Sequence, residues 1–412
     1  MMRNERRNMR DLQNALDAKL RRLVRYASTH VPFYRDLFEA HGVRPDAICR
    51  VEDIERLPVI DKAQLQTQRA SDLISDDYRS FDDLIVIRTS GSSGTPLELF
   101  IDKDYEAIRK AQSLRPYLTN GRRITDRALC FTGHPDLQKK YFEYFGLLRE
   151  TRVDSSADHA TQRRAFEQAQ AQVIQGYPSA LVSLATDICD ESSSIAKPRI
   201  VFTDSELLTL DKRRFIEQAF GAPVIDVFGS WETGNIAYEC DRQSGYHIAA
   251  DCVVLEVVGD DGTVVEHGEE GELVCTVLDN LAMPLIRYNL HDIARRTTRV
   301  CTCGRQFPLL DVIAGRRDDL VRLADGRTAS SQGFLTVFSF LAGAVREFQI
   351  TQEAVNRFRI VLVPGSRFED AHIERIRSAV GSRYPAAAVE VRIADRIDRE
   401  ASGKLRAFRS LV

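Results

Sequence analysis

Apolar positions recur along the first forty residues at helical spacing, with Leu12, Leu20, Leu23, Val24 and Leu37 on one side of residues 8–41. Pro32 interrupts the run, because the residue before a proline is pushed out of the helical region. The stretch also suits a helical lid or a dimer arm, which leaves a homodimer open. From residue 84 the period changes. Residues 84–87 and 97–101 are short apolar runs, each long enough for a strand. Strand and helix patterns then alternate: strand 128–133, helices 160–174 and 180–189, strand 199–203, helix 211–220 and strand 224–227. Such alternation predicts an α/β fold with a mainly parallel sheet. Sheets of that kind take ligands at the carboxyl ends of their strands, where segments 89–96, 203–206 and 229–234 fall.

Beyond residue 247 the pattern turns antiparallel. Residues 253–258, 271–277 and 285–288 read as strands of a small subdomain, with a hairpin turn at 259–262. After residues 315–319 a compact β-β-α-β unit follows, with strands 345–351, 357–363 and 389–393 and an amphipathic helix at 369–384. The chain therefore divides into a large N-terminal domain, 1–314, and a small mobile α+β C-terminal domain, 315–412. The bulk numbers narrow the partners. A formal charge of −3 over 412 residues leaves no basic footprint for nucleic acid. No apolar run approaches the roughly 18 residues that span a bilayer. The basic start lacks the apolar stretch of a signal peptide, so a cytoplasmic location is expected. Eight irregularly spaced cysteines do not make a disulfide framework.

The chemistry is concentrated in a few segments. Thr89-Ser90-Gly91-Ser92-Ser93-Gly94-Thr95 lies between two apolar runs. Its glycines let the backbone approach a ligand, and its hydroxyls and amides can surround an anion. No lysine follows the second glycine and a strand comes next, so it is not a Walker loop; a flexible surface turn is the competing reading. At residues 227–234 an apolar strand ends in a tight turn carrying Glu232, suited to magnesium beside phosphates or to the first turn of a helix. Asp292 could accept hydrogen bonds from ribose hydroxyls or sit in a surface loop. Ser402-Gly403-Lys404 is a turn able to deliver an ammonium to an anion, although most such lysines are solvated. Cys240, His247, Cys301 and Cys303 form a Cys-x6-His…Cys-x-Cys set, three thiolates and an imidazole, enough for a closed zinc site. Polar Thr302, Gly304 and Arg305 around the last pair argue against buried apolar cysteines.

These segments, in this order, resemble the AMP-forming adenylation superfamily of acyl-CoA synthetases and peptide-synthetase adenylation domains. The likeness extends to residues 31–35 and 57–58 and covers nearly the whole chain, and it is greatest to the phenylacetate–CoA ligases and their capsule-cluster relatives. The resemblance implies ATP, Mg²⁺, a carboxylic acid and coenzyme A as the reacting set. The acid attacks the α-phosphorus to give an acyl-adenylate and pyrophosphate, and a thiol then displaces AMP. It makes Lys404, Glu232 and Thr89 catalytic. Ser90, Gly91, Ser92, Ser93, Gly94, Thr95, Ser205, Glu206, Phe228, Gly229, Ser230, Asp292 and Arg316 fall at nucleotide positions, and Glu232 at the magnesium position. Asp318 is the expected pivot of a hinge that gives the C-terminal domain two uses. Phe131, Gly133 and Tyr177 are expected around the acid, for which an aromatic or medium-sized apolar carboxylate is the family default. Cys240, His247, Cys301 and Cys303 match a structural Zn²⁺ site of this branch. The stretch from Glu232 to Cys240 is nearer the capsule-cluster length, and Gly133-His134-Pro135 replaces a glycine-rich aryl-pocket segment. Within the same chemistry the acceptor could be an amine or a carrier protein. A nucleotide-binding regulatory protein without turnover is a further alternative. A zinc-ribbon interaction protein would leave Lys404 and the phosphate loop unexplained.

Overall fold

A computed structural model describes residues 2–412 apart from 79, 90–95, 136–140, 190–196, 318–319, 332–334, 336–340, 342 and 401. The chain forms two compact units: Met1–Thr119 with Val227–Ile313, and Asn120–Asp226 with Ala314–Val412. Among the described residues no helix is long and apolar enough to cross a membrane.

In the first unit, the leading apolar run becomes two helices. The helix Met9–His30 starts at Asn8, whose side chain accepts the Asp11 amide and so satisfies a donor that the helix cannot. The helix Pro32–Ala40 carries proline in its first turn, where a missing N–H costs nothing. Leu20, Leu23 and Val24 are fully buried, each contributing about 1.5–3 kcal/mol. They share one core with residues of the strands Val253–Val258 and Glu270–Val277, so the helices are part of the unit's interior rather than a free lid or arm.

The strands of this unit pair antiparallel, as expected. Val253–Val258 pairs with Glu270–Val277, and that strand with Tyr288–Arg296. The strand expected at 285–288 instead begins at Tyr288. Arg287 stands in the left-handed region, with φ 49°, and its guanidinium turns inward. There it forms an ion pair with Glu256 at 2.9 Å and donates to the Glu55, Leu57 and Gly262 carbonyls. Residues 259–262 do form a tight turn, closed by the Gly262 amide on the Gly259 carbonyl at 3.0 Å.

The second unit holds the parallel sheet. Its strands run in the order Ile200–Asp204, Val173–Gly176, Ala128–Thr132, Glu150–Asp154, each neighbour parallel. The helix expected at 160–174 is a helix and a strand. His159–Ala169 ends at Gln170, which adopts φ 42°, and the β-branched pair Val173-Ile174 enters the sheet. The edge strand Glu150–Asp154 escapes the hydrophobic pattern because only Val153 is buried. The C-terminal stretch supplies a separate four-stranded sheet, ordered Ala388–Ile393, Arg357–Pro364, Val345–Ala354, Phe408–Ser410, backed by the helix Asp370–Arg383. Its last strand, absent from the expected β-β-α-β pattern, pairs parallel with Val345–Ala354. That pairing anchors the chain just beyond Lys404.

Candidate active site

Each of the four parallel strands delivers one residue at its carboxyl end to the lysine loop. Gly133 follows Ala128–Thr132, Ser155 follows Glu150–Asp154, Tyr177 follows Val173–Gly176, and Ser205-Glu206 follows Ile200–Asp204. Residues 402–405 lie across all four. The Tyr177 hydroxyl donates to the Ser402 carbonyl at 2.9 Å, and the Ser155 hydroxyl to the Gly403 carbonyl at 3.1 Å. The Leu405 amide donates to Glu206 Oε1 at 2.6 Å. Gly133 is packed so closely that a Cβ there would fall 1.9 Å from the Ser402 carbonyl oxygen. The loop is itself a bonded turn: Gly403, at φ 78°, donates to the Glu400 carbonyl at 2.7 Å, and the Glu400 amide donates back to Lys404 at 3.0 Å.

Charge and strain collect at the same place. Burial pushes the Asp204 carboxyl up, opposed by hydrogen bonds from Gln175 and Ser205 and by the Lys404 charge. Ser205 holds φ 67°, a left-handed conformation of the kind that clusters at functional sites. Burial raises the Tyr177 hydroxyl to about 12, so it stays a donor at neutral pH. The Ser402 hydroxyl is buried with no hydrogen-bond partner among the described residues, a polar atom that a bound ligand can satisfy. Phe131, expected at the acid, is buried in the core of this unit with Leu129 and Tyr177. Arg316 is exposed at the end of the strand Leu309–Arg316. Asp318 lies outside the described residues.

The other expected residues belong to the first unit. Ser90, Gly91, Ser92, Ser93, Gly94 and Thr95 lie outside the described residues, but their flanks are fixed. Ile85–Arg88 and Glu98–Ile101 pair antiparallel, and Thr89 closes the base of the loop. Its hydroxyl accepts the Leu97 amide at 2.9 Å and its own amide donates to the Leu97 carbonyl at 3.0 Å. Glu232 sits in the turn between the antiparallel strands Val224–Ser230 and Gly234–Tyr238, which excludes the helix-start reading. Gly229 makes that turn possible, since a Cβ there would meet the Gly234 carbonyl at 2.2 Å. Arg109 braces it by donating to the Trp231 carbonyl at 2.7 Å, and its guanidinium lies within the field of Glu232. Asp292 belongs to a bulge: Glu272 opposes Ile293 and Val274 opposes Asn289, so residues 290–292 stand against Leu273 alone and the strand carries two extra residues. Bulges of this type re-aim side chains beside active sites.

In the same unit Cys240, His247, Cys301 and Cys303 come together, their ligand atoms all within 4.8 Å of one another. The Cys240 and Cys301 sulfurs are 3.6 Å apart, and His247 Nε2 is 3.3 Å from the Cys303 sulfur. Edges of about 3.3–3.8 Å are those of a tetrahedron with metal–sulfur bonds near 2.3 Å. The Phe307 carbonyl, 3.3 Å from His247 Nδ1, fixes the ring with Nε2 facing the thiols. The Arg242 and Arg305 amides donate to Cys240 and Cys303, as they would to thiolates. The donor set fits one closed four-ligand ion.

Sequence reasoning missed Ser155, Ser179 and Arg399. Ser179 donates through both its amide and its hydroxyl to Glu206, at 2.9 Å each. Arg399 donates to the Ser179 hydroxyl at 3.0 Å and to the Gly403 carbonyl at 3.1 Å, and forms an ion pair with Glu347. The signal for Arg399 was available: a basic residue five positions before Lys404. Ser155 and Ser179 carried none, being ordinary serines at a strand end and in the first turn of a helix.

Comparison with known proteins adds three relatives and one family. The CapK C-terminal domain family matches residues 322–410. The phenylacetate-coenzyme A ligase of Thermus thermophilus is 28% identical over 330 residues, covering 77% of this chain and 72% of the relative. The CapK protein of Staphylococcus aureus is 22% identical over 380 residues, covering 87% and 79%. A solved structure of 2-hydroxyisobutyryl-CoA ligase, in the postadenylation state with 2-HIB-AMP, superposes with a TM-score of 0.80. It is 23% identical, over 99% of this chain and 91% of that one, which places the two on one fold.

Proposed function

We propose that this chain, a member of the AMP-forming adenylation superfamily in its phenylacetate–CoA ligase and CapK branch, joins a carboxylic acid to coenzyme A at the cost of ATP. The reading rests above all on the lysine loop lying across the carboxyl ends of the four parallel strands, where sheets of this type bind their ligands. The acid carboxylate attacks the α-phosphorus of ATP, forming a C–O–P bond and expelling pyrophosphate. The thiol of coenzyme A then attacks the acyl carbon, forming a thioester and expelling AMP.

In this reading Lys404 faces the charge that builds on the carboxylate and α-phosphate, an electrostatic role whose loss lowers rate on the order of 10²–10³-fold. The Thr89 hydroxyl closes the base of the phosphate loop and holds its entry strand in register with its exit strand. Glu232 and the phosphates would hold Mg²⁺, which offsets phosphate charge when bound. Arg109 keeps the turn bearing that carboxylate in place. Asp292, set out on its bulge, would accept from the ribose hydroxyls. Cys240, His247, Cys301 and Cys303 would hold a structural Zn²⁺ with no position open for substrate. Reduced thiols at such a site suit the cytoplasm.

Acid-dependent exchange of labelled pyrophosphate into ATP tests the reading, run across aryl, fatty and small polar acids. Exchange with one class, followed by CoA-dependent release of AMP, is the expected result. AMP release that requires an amine instead of coenzyme A would move the chain to amide synthesis. Folded protein that binds ATP yet exchanges with no acid would overturn the enzymatic reading.

A further inference from the structure

We infer that Arg399, Ser179 and Glu347 form a releasable clasp that positions Lys404 for the adenylation half-reaction and must open for the thioester half-reaction. This rests on the adenylation reading above. Lys404 is flanked on both sides by residues whose backbone atoms are claimed by this group. Upstream, the Gly403 carbonyl accepts from both Arg399 Nη1 at 3.1 Å and the Ser155 hydroxyl at 3.1 Å. Downstream, the Leu405 amide is held by Glu206 Oε1, the same oxygen that accepts the Ser179 hydroxyl. Ser179 is thus the joint: it receives Arg399 Nη1 at 3.0 Å and passes a hydrogen bond on to Glu206. The second guanidinium nitrogen is anchored to Glu347 on the strand Val345–Ala354, and both side chains of that ion pair are over nine-tenths buried. One short chain of polar contacts therefore runs from the C-terminal sheet, through the first turn of the helix Pro178–Cys189, to the residue after Lys404.

The directional character of these contacts distinguishes the clasp from apolar packing. They are hydrogen bonds to the loop's backbone and to the helix Pro178–Cys189, which are lost when the loop withdraws. A cavity of about 60 Å³ lies beside them, lined by Ser179, Val182, Phe215, Val345, Glu347 and Leu405. Arg399, Ser179 and Glu347 touch no reacting atom; they act through Lys404 as positioning residues.

The test uses the full-length protein. In the pair Arg399→Gln/Glu347→Gln the buried ion pair is replaced by two neutral amides, so neither charge is stranded. Ser179→Ala provides a second, milder variant that keeps the Glu206–Leu405 contact. Deuterium exchange of the backbone over residues 402–406 should quicken on the order of 10-fold in the pair, the scale of one charge-assisted hydrogen bond. Pyrophosphate–ATP exchange should fall by a similar factor in kcat with KM for ATP unchanged, while thioester formation from supplied acyl-adenylate holds or rises. Arg399→Lys should recover part of the loss. Unchanged deuterium exchange over 402–406, or equal loss in both half-reactions, would overturn the clasp. If even the unmodified protein exchanges no pyrophosphate, the adenylation reading fails, and the deuterium measurement still decides whether these residues hold the loop.

Discussion

Gly133→Ala isolates the fit between the parallel strands and the lysine loop. The residue has no positive φ, so alanine is compatible with its backbone. The obstacle is the neighbour: the new Cβ would stand 1.9 Å from the Ser402 carbonyl oxygen, where real Cβ atoms keep at least 3.0 Å, and the nearest obstacle is backbone, not a flexible side-chain tip. The loop must therefore withdraw by at least 3.0 − 1.9 = 1.1 Å. A misplacement of about 1 Å costs on the order of 10²-fold in rate, which corresponds to about 2.7 kcal/mol of lost transition-state stabilisation. Stability should move little, because alanine gains about 0.4–1 kcal/mol through the unfolded chain and loses a loop hydrogen bond of similar size. Pyrophosphate exchange, thioester formation from supplied acyl-adenylate and thermal unfolding should be measured on one preparation. The expected result is exchange reduced about 100-fold in kcat, with thioester formation and melting temperature near those of the parent. Full exchange activity would refute the reasoning. So would a rise in KM for the acid with kcat intact, which would return Gly133 to the acid pocket as the sequence suggested.

Four further outcomes are expected. Lys404→Ala should lose exchange by about 10²–10³-fold and still turn supplied acyl-adenylate into thioester, read as two separate half-reaction rates. Arg287→Met should destabilise the first unit by about 3–5 kcal/mol in urea unfolding, since it strands buried Glu256 and frees three carbonyls. Burial holds His159 below its ordinary value of 6.5, with Ser183 as its partner at 2.8 Å. A depressed value in the folded state gives stability that is complete above pH 6.5 and declines as pH falls through the folded value. Unfolding midpoints measured between pH 8 and 5 should fall on the acid side, and His159→Gln should flatten that slope. Purified protein should contain one zinc, and a strong chelator should lower its melting temperature before it slows any residual turnover.

Two strands of the parallel sheet, Ala128–Thr132 and Ile200–Asp204, were legible because they are buried apolar runs that differ from their surroundings, whereas Val173–Gly176 was read as the end of the preceding helix because only Val173 and Ile174 carry the strand signal. Glu150–Asp154 was not legible, because an edge strand with one buried residue leaves no run to see. The short pairing strands Tyr246–Ile248 and Phe408–Ser410 have three residues each, too few for any period. At the site, the sequence marked groups whose chemistry is in the side chain: Glu232, Lys404 and the four sulfur and nitrogen ligands. It could not mark Ser155 and Ser179, whose importance lies in the carbonyls and carboxylates that they meet. It also assigned Glu206 to the nucleotide, whereas its carboxylate is occupied by Ser179 and Leu405. Contacts made by backbone atoms leave no trace in residue identity.

The cysteine cluster does structural work by its connections more than by its ligands. Cys240 and Cys301 are 61 residues apart, and a metal ion bound by both would close a loop of that size, removing unfolded-chain entropy worth about 4 kcal/mol. The same knot reaches the N-terminus. Arg305, two residues beyond Cys303, forms an ion pair with buried Glu5 at 3.2 Å, and Tyr238, two residues before Cys240, donates to Glu5 at 2.7 Å. Arg305 also donates to the Thr119 carbonyl at 2.9 Å. Three stretches distant in sequence are thereby tied to the strand Gly234–Tyr238, which faces Val224–Ser230 across the Glu232 turn. Loss of an ion bound at this cluster would relax that strand first. If the cluster holds an ion, its removal should loosen the turn carrying Glu232, and nucleotide affinity should weaken along with stability. A catalytic ion would behave differently, with turnover failing while the fold and nucleotide binding persisted. Glu5→Gln separates the two cases, since it loosens the knot and leaves all four ligands in place. Lower stability at full zinc content would show that the ion acts through the tie.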